Sequence, residues 1–208
     1  MFNPYIYALS PFEFFLYQSP VLLLILWTLV YIGDYALTII SARLYRRINH
    51  IIEYEGSYEL TPQFQEDINA LRLISPRFVW AVVLSWLILS ISWLVFAFWF
   101  NLHGVFGMLY GVVMVREGVI YLRHMRNLAL FRQLVKDESA IEGKMLYKRW
   151  LIYRSSAGEL WNNGVLFLVL AVWVNSYFLL GGAISLFLTG YQHWRLGKKS
   201  KEAGRQAV

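Results

Sequence analysis

The sequence contains no cysteine, which excludes disulfides, thiolate metal sites, iron–sulfur ligation and CxxC redox chemistry. Charge is scarce, at 15% of 208 residues, against about 25% in an ordinary soluble domain. The first 19 residues carry neither Lys nor Arg. A secretory signal opens on a basic n-region, so none is expected here. No Asn-x-Ser/Thr glycosylation acceptor occurs. Proline is limited to five residues, all outside the interiors of the apolar blocks. Catalytic frames are missing as well: there is no GxSxG, HExxH, P-loop, GxGxxG or Glu-x-x-His pair.

What is present is hydrophobicity in blocks. Apolar residues make up 58% of the chain, and mean hydropathy is +0.47. The blocks are long enough to cross about 30 Å of hydrocarbon at about 1.5 Å per residue. Five spans are expected, at 20–42, 78–100, 102–122, 157–177 and 180–194. The fold class is an all-α integral membrane protein, a single transmembrane domain of one span plus two hairpins. Connectors at 43–77 and 123–156 and a tail at 195–208 complete it.

Lys and Arg set the expected orientation. Five lie in 43–77, eight between the third and fourth spans and five in the tail, with Arg116 alone inside a span. The positive-inside rule then puts the connectors and C-terminus in the cytoplasm and the N-terminus outside. A four-span layout would put the basic tail outside and fits less well. The same distribution accounts for the net charge of +6 without nucleic acid. The partner it implies is the anionic inner leaflet of a cell membrane. A homo-oligomer or a larger membrane complex is compatible with the sequence, and neither is demanded by a motif.

Four Ser/Thr-Pro pairs, at Ser10, Ser19, Thr61 and Ser75, read as helix starts. Ser10-x-x-Glu13 is a capping box, expected to open a short interfacial helix that rests Phe12, Phe14, Phe15 and Tyr17 among headgroups. The connectors read as partly helical and amphipathic. Phe64, Ile68 and Leu71 share one face over 61–74, and Ser139-x-x-Glu142 starts a second helix that reads MLYKRWLIYR. Two similar phrases, from Tyr121 to Arg126 and from Tyr191 to Arg195, hint at an internal duplication.

Ionisable groups inside a span cost about 2.5–3.5 kcal/mol each at mid-membrane, so they mark function by default. Asp34, Arg116, Glu117 and Glu159 fall at similar depth, with Asn162 and Asn163 a turn deeper and Gln192 and His193 below. Asp34, Thr38, Ser41 and Tyr45 share one face of the first span. His103, Tyr110, Met114, Glu117, Tyr121 and His124 share one stripe of the third. The candidate ligand-binding or ion-pathway residues are therefore Asp34, Arg116, Glu117, Glu159, Asn162, Tyr121 and His193. Simpler roles account for several of them. Glu159 closes a box with Ser156, Asp34 and Arg116 form a structural ion pair, and Gly107-x-x-x-Gly111 serves close helix packing. The histidines are too spread for a haem pair, and the carboxylates give no recognisable metal frame. No catalytic residue, metal or cofactor is assigned.

The reading that leads is a non-enzymatic membrane protein with a polar inner-leaflet cavity, binding or transporting a small ion, a proton or a polar lipid headgroup. The rivals are an assembly subunit of a membrane complex and an enzyme acting on a lipid or isoprenoid.

Overall fold

The computed structural model describes residues 11–206. It is all-α and about 80% helical, with one very short two-stranded ladder. Helix α1 is Pro11–Gln18, α2 is Pro20–Ile48 and α3 is Gln65–Asn69. Helix α4 is Pro76–Ser92, and it continues as a π-helical turn, Trp93–Trp99. Helices α5 (His103–Lys136), α6 (Arg149–Trp173) and α7 (Tyr177–Gln206) complete the set. Three stretches are long and apolar enough to cross a membrane: Pro20–Ile48, Pro76–Trp99 and His103–Lys136. Helices α6 and α7 are long but fall short in apolarity. One opens on RWLIYR and carries Glu159, and the other ends in a basic, glycine-bearing run.

Local chemistry explains the ends. Ser75 caps α4 by accepting from the Phe78 N–H at 3.3 Å, and Pro76 fills the position where an N–H would be orphaned. Ser19 and Pro20 open α2, although the Ser19 hydroxyl makes no capping bond. Both hairpin turns use asparagine in the left-handed region, Asn101 at φ 54° and Asn175 at φ 51°. Asparagine tolerates that region better than most L-residues do. The π turn arises where the chain must stop: Phe100 N–H reaches back five residues to Val95 O, at 3.1 Å.

Contacts fix relative direction. Helices α2 and α5 run alongside in step, Tyr110 OH donating to Leu23 O at 3.0 Å and Thr38 meeting His124 further along. Helices α5 and α7 also run in step. Helix α4 opposes α2: Trp27 donates to Ser85, while Tyr31, later on α2, stacks on Phe78, earlier on α4. Helix α6 opposes α7, where Gly164 faces Phe187 and Gly190 faces Trp161. The two hairpin turns thus share one end of the molecule. The connectors and basic residues share the other, called the basic end below.

Several local expectations need correction. The 61–74 helix shrinks to Gln65–Asn69, because Leu71 turns to φ 52° and Arg72 N–H closes on Asp67 O. Its apolar face is placed as expected, with Phe64, Ile68 and Leu71 packed on Ile39 and Ala42. Thr61-Pro62 lies in a turn and starts no helix. Ser139 caps nothing. It sits in a 3-10 turn, Glu138–Ala140, and both its N–H and hydroxyl donate to Asp137 Oδ1. The segment MLY forms strand β2 (Met145–Tyr147), parallel to β1 (Ile52–Tyr54) with Ile52 opposite Met145. Helix α6 then starts at Arg149, whose N–H is capped from across the ladder by Glu55, at 2.8 Å. That bond and the neighbouring Lys148 hold the Glu55 carboxyl below its usual range.

Ser10 and the side chains of Phe12 and Phe15 lie outside the described residues. Tyr17 is not a headgroup aromatic. It is buried edge-on against Phe106, over Gly107. Glu13 is also buried and accepts from the Ser176 hydroxyl, which ties α1 to the second hairpin turn.

Packing differs between the two ends. Between membrane-length helices, lipid is as apolar as leucine, so close fit matters more than burial. A Cβ on Gly111 would overlap the Phe178 carbonyl, and one on Gly181 would overlap that of Met108. This reciprocal contact brings α5 and α7 backbone to backbone. At the basic end a buried core forms around Ile48, Ile52, Phe131 and Leu134. There each fully buried large side chain contributes about 1.5–3 kcal/mol.

Candidate functional site

Below the glycine contact the bundle opens. A cavity of about 650 Å³ lies between α2, α5, α6 and α7, roofed by the 58–64 segment. Its wall includes three arginines, Arg116, Arg123 and Arg126, and four carboxylates, Asp34, Glu59, Glu117 and Glu159. His124, His193, Thr38, Asn127 and Gln192 supply further polar groups. Tyr31, Tyr35 and Phe78 form an aromatic wall, with Phe78 stacked on both tyrosines at 5.0 and 4.4 Å.

The wall follows from helical periodicity. Asp34 and Thr38 are one turn apart on α2. On α5, Arg116, Glu117, Arg123 and His124 recur after seven residues, two turns. Two networks result. In the first, Thr38 donates its hydroxyl hydrogen back to the Asp34 carbonyl oxygen at 2.9 Å. Its oxygen is therefore the acceptor for His124 Nδ1, 2.7 Å away. Asp34 Oδ1 also lies 2.8 Å from that nitrogen, within ion-pair range. The single N–H is already directed to Thr38, so Oδ1 is buried without an aligned donor.

The second network joins α5, α6 and α7. Arg123 Nη1 donates to Ser156 Oγ at 2.8 Å, and Ser156 Oγ lies 2.8 Å from His193 Nδ1. The hydroxyl hydrogen is left for Nδ1, which suits a neutral imidazole beside a guanidinium. Arg123 Nε lies 2.9 Å from Glu159 Oε2, and Arg126 Nη1 lies 3.4 Å from Oε1. The Arg123 contact is close in distance but poorly aligned, so its Nε and Nη2 are buried without a hydrogen bond. Arg116 Nη2 stands 3.7 Å from Glu117 Oε2, and its Nε is likewise unbonded.

The expected site residues can now be placed. Asp34, Arg116, Glu117, Glu159 and His193 come together on the cavity. Asn162 does not; it is exposed on the outer side of α6. Tyr121 packs its ring against Gly33 and stays off the cavity wall. The expected Asp34–Arg116 pair is not formed. Asp34 faces His124, about two turns further along α5, and Arg116 lies beside Glu117. The Ser156–Glu159 box is not formed either. Helix α6 begins at Arg149, so both residues are interior and turn to Arg123 instead.

Arg123, Arg126, Ser156 and the Tyr54 and Tyr58 walls went unassigned in the sequence. Arg123 carried one available signal, its position two turns from Arg116 on the same face. Among the described residues, no group of three or more His, Asp or Glu is disposed to hold a metal ion.

Outside the spans, one further buried carboxylate serves structure. Asp67 accepts from the Ser75 hydroxyl and from Arg72 Nη1 at 2.7 Å, with Arg77 nearby. These partners, Ser75 first, hold its carboxyl below the usual range. Burial acts the opposite way on Tyr58, pushing its phenol up to about 12.

No protein-family model, curated protein or solved structure matches this chain.

Proposed function

We propose that this chain is a five-span protein of the cell membrane, with its basic end in the cytoplasm and both hairpin turns outside. Its inner-leaflet cavity binds or moves a small ion, a proton or a polar lipid headgroup, without covalent chemistry. Three helices long and apolar enough to cross a membrane support insertion. The pairing of α6 with α7, and the return of both turns to one end, support two further crossings. The distribution of Lys and Arg supports the orientation.

One observation carries the functional reading. Charged side chains from three helices converge on a single cavity at a depth where lipid offers them no partners. Arg116 lies about 20 Å along α5 from His103 at about 1.5 Å per residue, well inside a core about 30 Å thick. Such groups are retained where they line a pathway or a binding site.

Native mass spectrometry of protein extracted in mild detergent, with metal analysis of the same sample, tests this. A stoichiometric ion, lipid or small molecule is expected, lost in Glu117→Gln. A folded Asp34→Asn/Glu117→Gln protein that keeps the bound species at wild-type stoichiometry would remove these carboxylates from the function.

A further inference from the structure

The cavity wall carries unmet hydrogen-bonding capacity of both signs. Arg116 Nε and Arg123 Nε and Nη2 are buried donors without an aligned acceptor, and Asp34 Oδ1 is a buried acceptor without an aligned donor, although Glu159 stands 2.9 Å from Arg123 Nε and His124 2.8 Å from Asp34 Oδ1. A buried polar group left this way is costly, more so when charged. Such groups on one cavity call for an occupant that satisfies them.

The charge balance narrows its chemistry. Three guanidiniums face four carboxylates around the same space. A lone anion would satisfy the arginines and be repelled by the carboxylates, and a lone cation would do the reverse. A molecule carrying both signs meets both rows. The volume, about 650 Å³, is far more than the ~30 Å³ share of one water molecule, and it is in the range of sites for small organic ligands.

We infer that the cavity takes a zwitterion: an oxyanion set against Arg116 and Arg123 and a primary ammonium set against Asp34. The inference rests on the proposed binding role and specifies its ligand. Guanidinium N–H groups suit a phosphate or carboxylate oxyanion. A primary ammonium supplies the aligned N–H that Asp34 Oδ1 lacks.

The surroundings favour a membrane source. Helices α2 and α6 flank α5 without a packed interface between them. The Pro62–Phe64 turn lines both the cavity and a second, largely apolar groove that runs over Trp80 and Ala81. Trp80 is 72% exposed on the outer face of α4. An acyl chain laid along that face leaves its headgroup at the cavity mouth. The phosphate–amine headgroup of phosphatidylethanolamine fits this arrangement, and free phosphoethanolamine has the same charges without the chain.

Purified protein is incubated with vesicles of phosphatidylethanolamine, phosphatidylcholine or phosphatidylglycerol, or with soluble phosphoethanolamine. Retained ligand is then counted by native mass spectrometry after a matched wash. Phosphatidylethanolamine is expected at one per chain and at least tenfold above the other two lipids. Phosphatidylcholine lacks the N–H for Asp34, and phosphatidylglycerol lacks the cation. Asp34→Asn and Arg123→Gln should each lower retention at least tenfold. Arg116→Gln, at a partly exposed arginine with only a 3.7 Å partner, serves if Arg123→Gln does not fold.

Binding of phosphoethanolamine with no lipid retained would uphold the zwitterion and assign it to a soluble source. Equal retention of phosphatidylglycerol and phosphatidylethanolamine would overturn the inference. So would failure of every zwitterion to bind. If a bound ion is then still lost in Glu117→Gln, the broader binding role survives alone. If no species is bound at all, both fall.

Discussion

From His103 to Gly111, α5 carries glycine at 104, 107 and 111, and its neighbours reach its backbone: Tyr177, Tyr17 and Phe178 in turn. From Arg116 to Asn127 it carries charge, and its neighbours stand off around a cavity. Both stretches belong to one continuous helix with the same partners, α2 and α7. The difference is side-chain size and polarity. Where a side chain is a hydrogen atom, two helices close. Where it is a guanidinium or a carboxylate, they must leave room for hydrogen-bond partners, and the space becomes a site. The bundle is clamped at the hairpin end and held open at the basic end.

Breaking the clamp should have the largest effect. Gly111→Ala places a methyl group on the Phe178 carbonyl, which cannot swing aside as a side chain would. A loss of about 3 kcal/mol or more is expected, read as a fall in thermal midpoint in detergent and loss of monodispersity. Disturbing the open end should cost less. Arg123→Met leaves Glu159 with Arg126 alone and Ser156 without its donor. About 2–3 kcal/mol is expected, part of it recovered by adding Glu159→Gln, because the pair is coupled.

Away from the helices compared, Asp67→Asn should cost about 2 kcal/mol by weakening its bonds to Ser75 and Arg72. The folded-state pKa of Asp67 is depressed, so its contribution is complete above the unfolded value of about 3.9. It is lost as pH falls through the lower folded value. The gap in stability between wild type and Asp67→Asn should therefore narrow only in acid. The smallest effect sharpens the comparison most. Gly118 lies on α5 within the charged stretch, with open space where a Cβ would sit. Gly118→Ala should be neutral or stabilising by about 0.5–1 kcal/mol, in contrast to Gly111→Ala. Equal damage from both would mean that the reciprocal backbone contact is not what closes the hairpin end.

The sequence carried the long-range plan of this protein better than its local detail. Apolar blocks placed the helices, because 3.6-residue periodicity and block length survive any packing. Helix ends were harder to read. α5 runs on to Lys136 and α7 to Gln206, since charged residues such as Arg123 and Lys198 continue a helix as readily as they signal its exit from a membrane. The parallel ladder was illegible because three-residue strands carry no periodicity. That Asp34, Glu117 and Glu159 would meet on one cavity was readable from spacing along single helices. Their partners were not, because pairing depends on helix rotation and stagger. A shift of about two turns along α5 gives Asp34 to His124 in place of Arg116. For the same reason Ser156 read as a cap although it lies in mid-helix, joining Arg123 to His193.

The absence of cysteine makes the open half of the bundle directly testable. A single cysteine at Thr189, which lines the cavity, is compared with one at Ile184, on the exposed face of the same helix. Each is introduced into protein reconstituted in vesicles and exposed to a membrane-impermeant, charged thiol reagent applied to the basic end. Thr189→Cys should react readily, and Ile184→Cys, which the proposed topology turns toward lipid, should not. An unreactive cysteine at position 189 in a folded protein would contradict a water-accessible cavity, and with it the site.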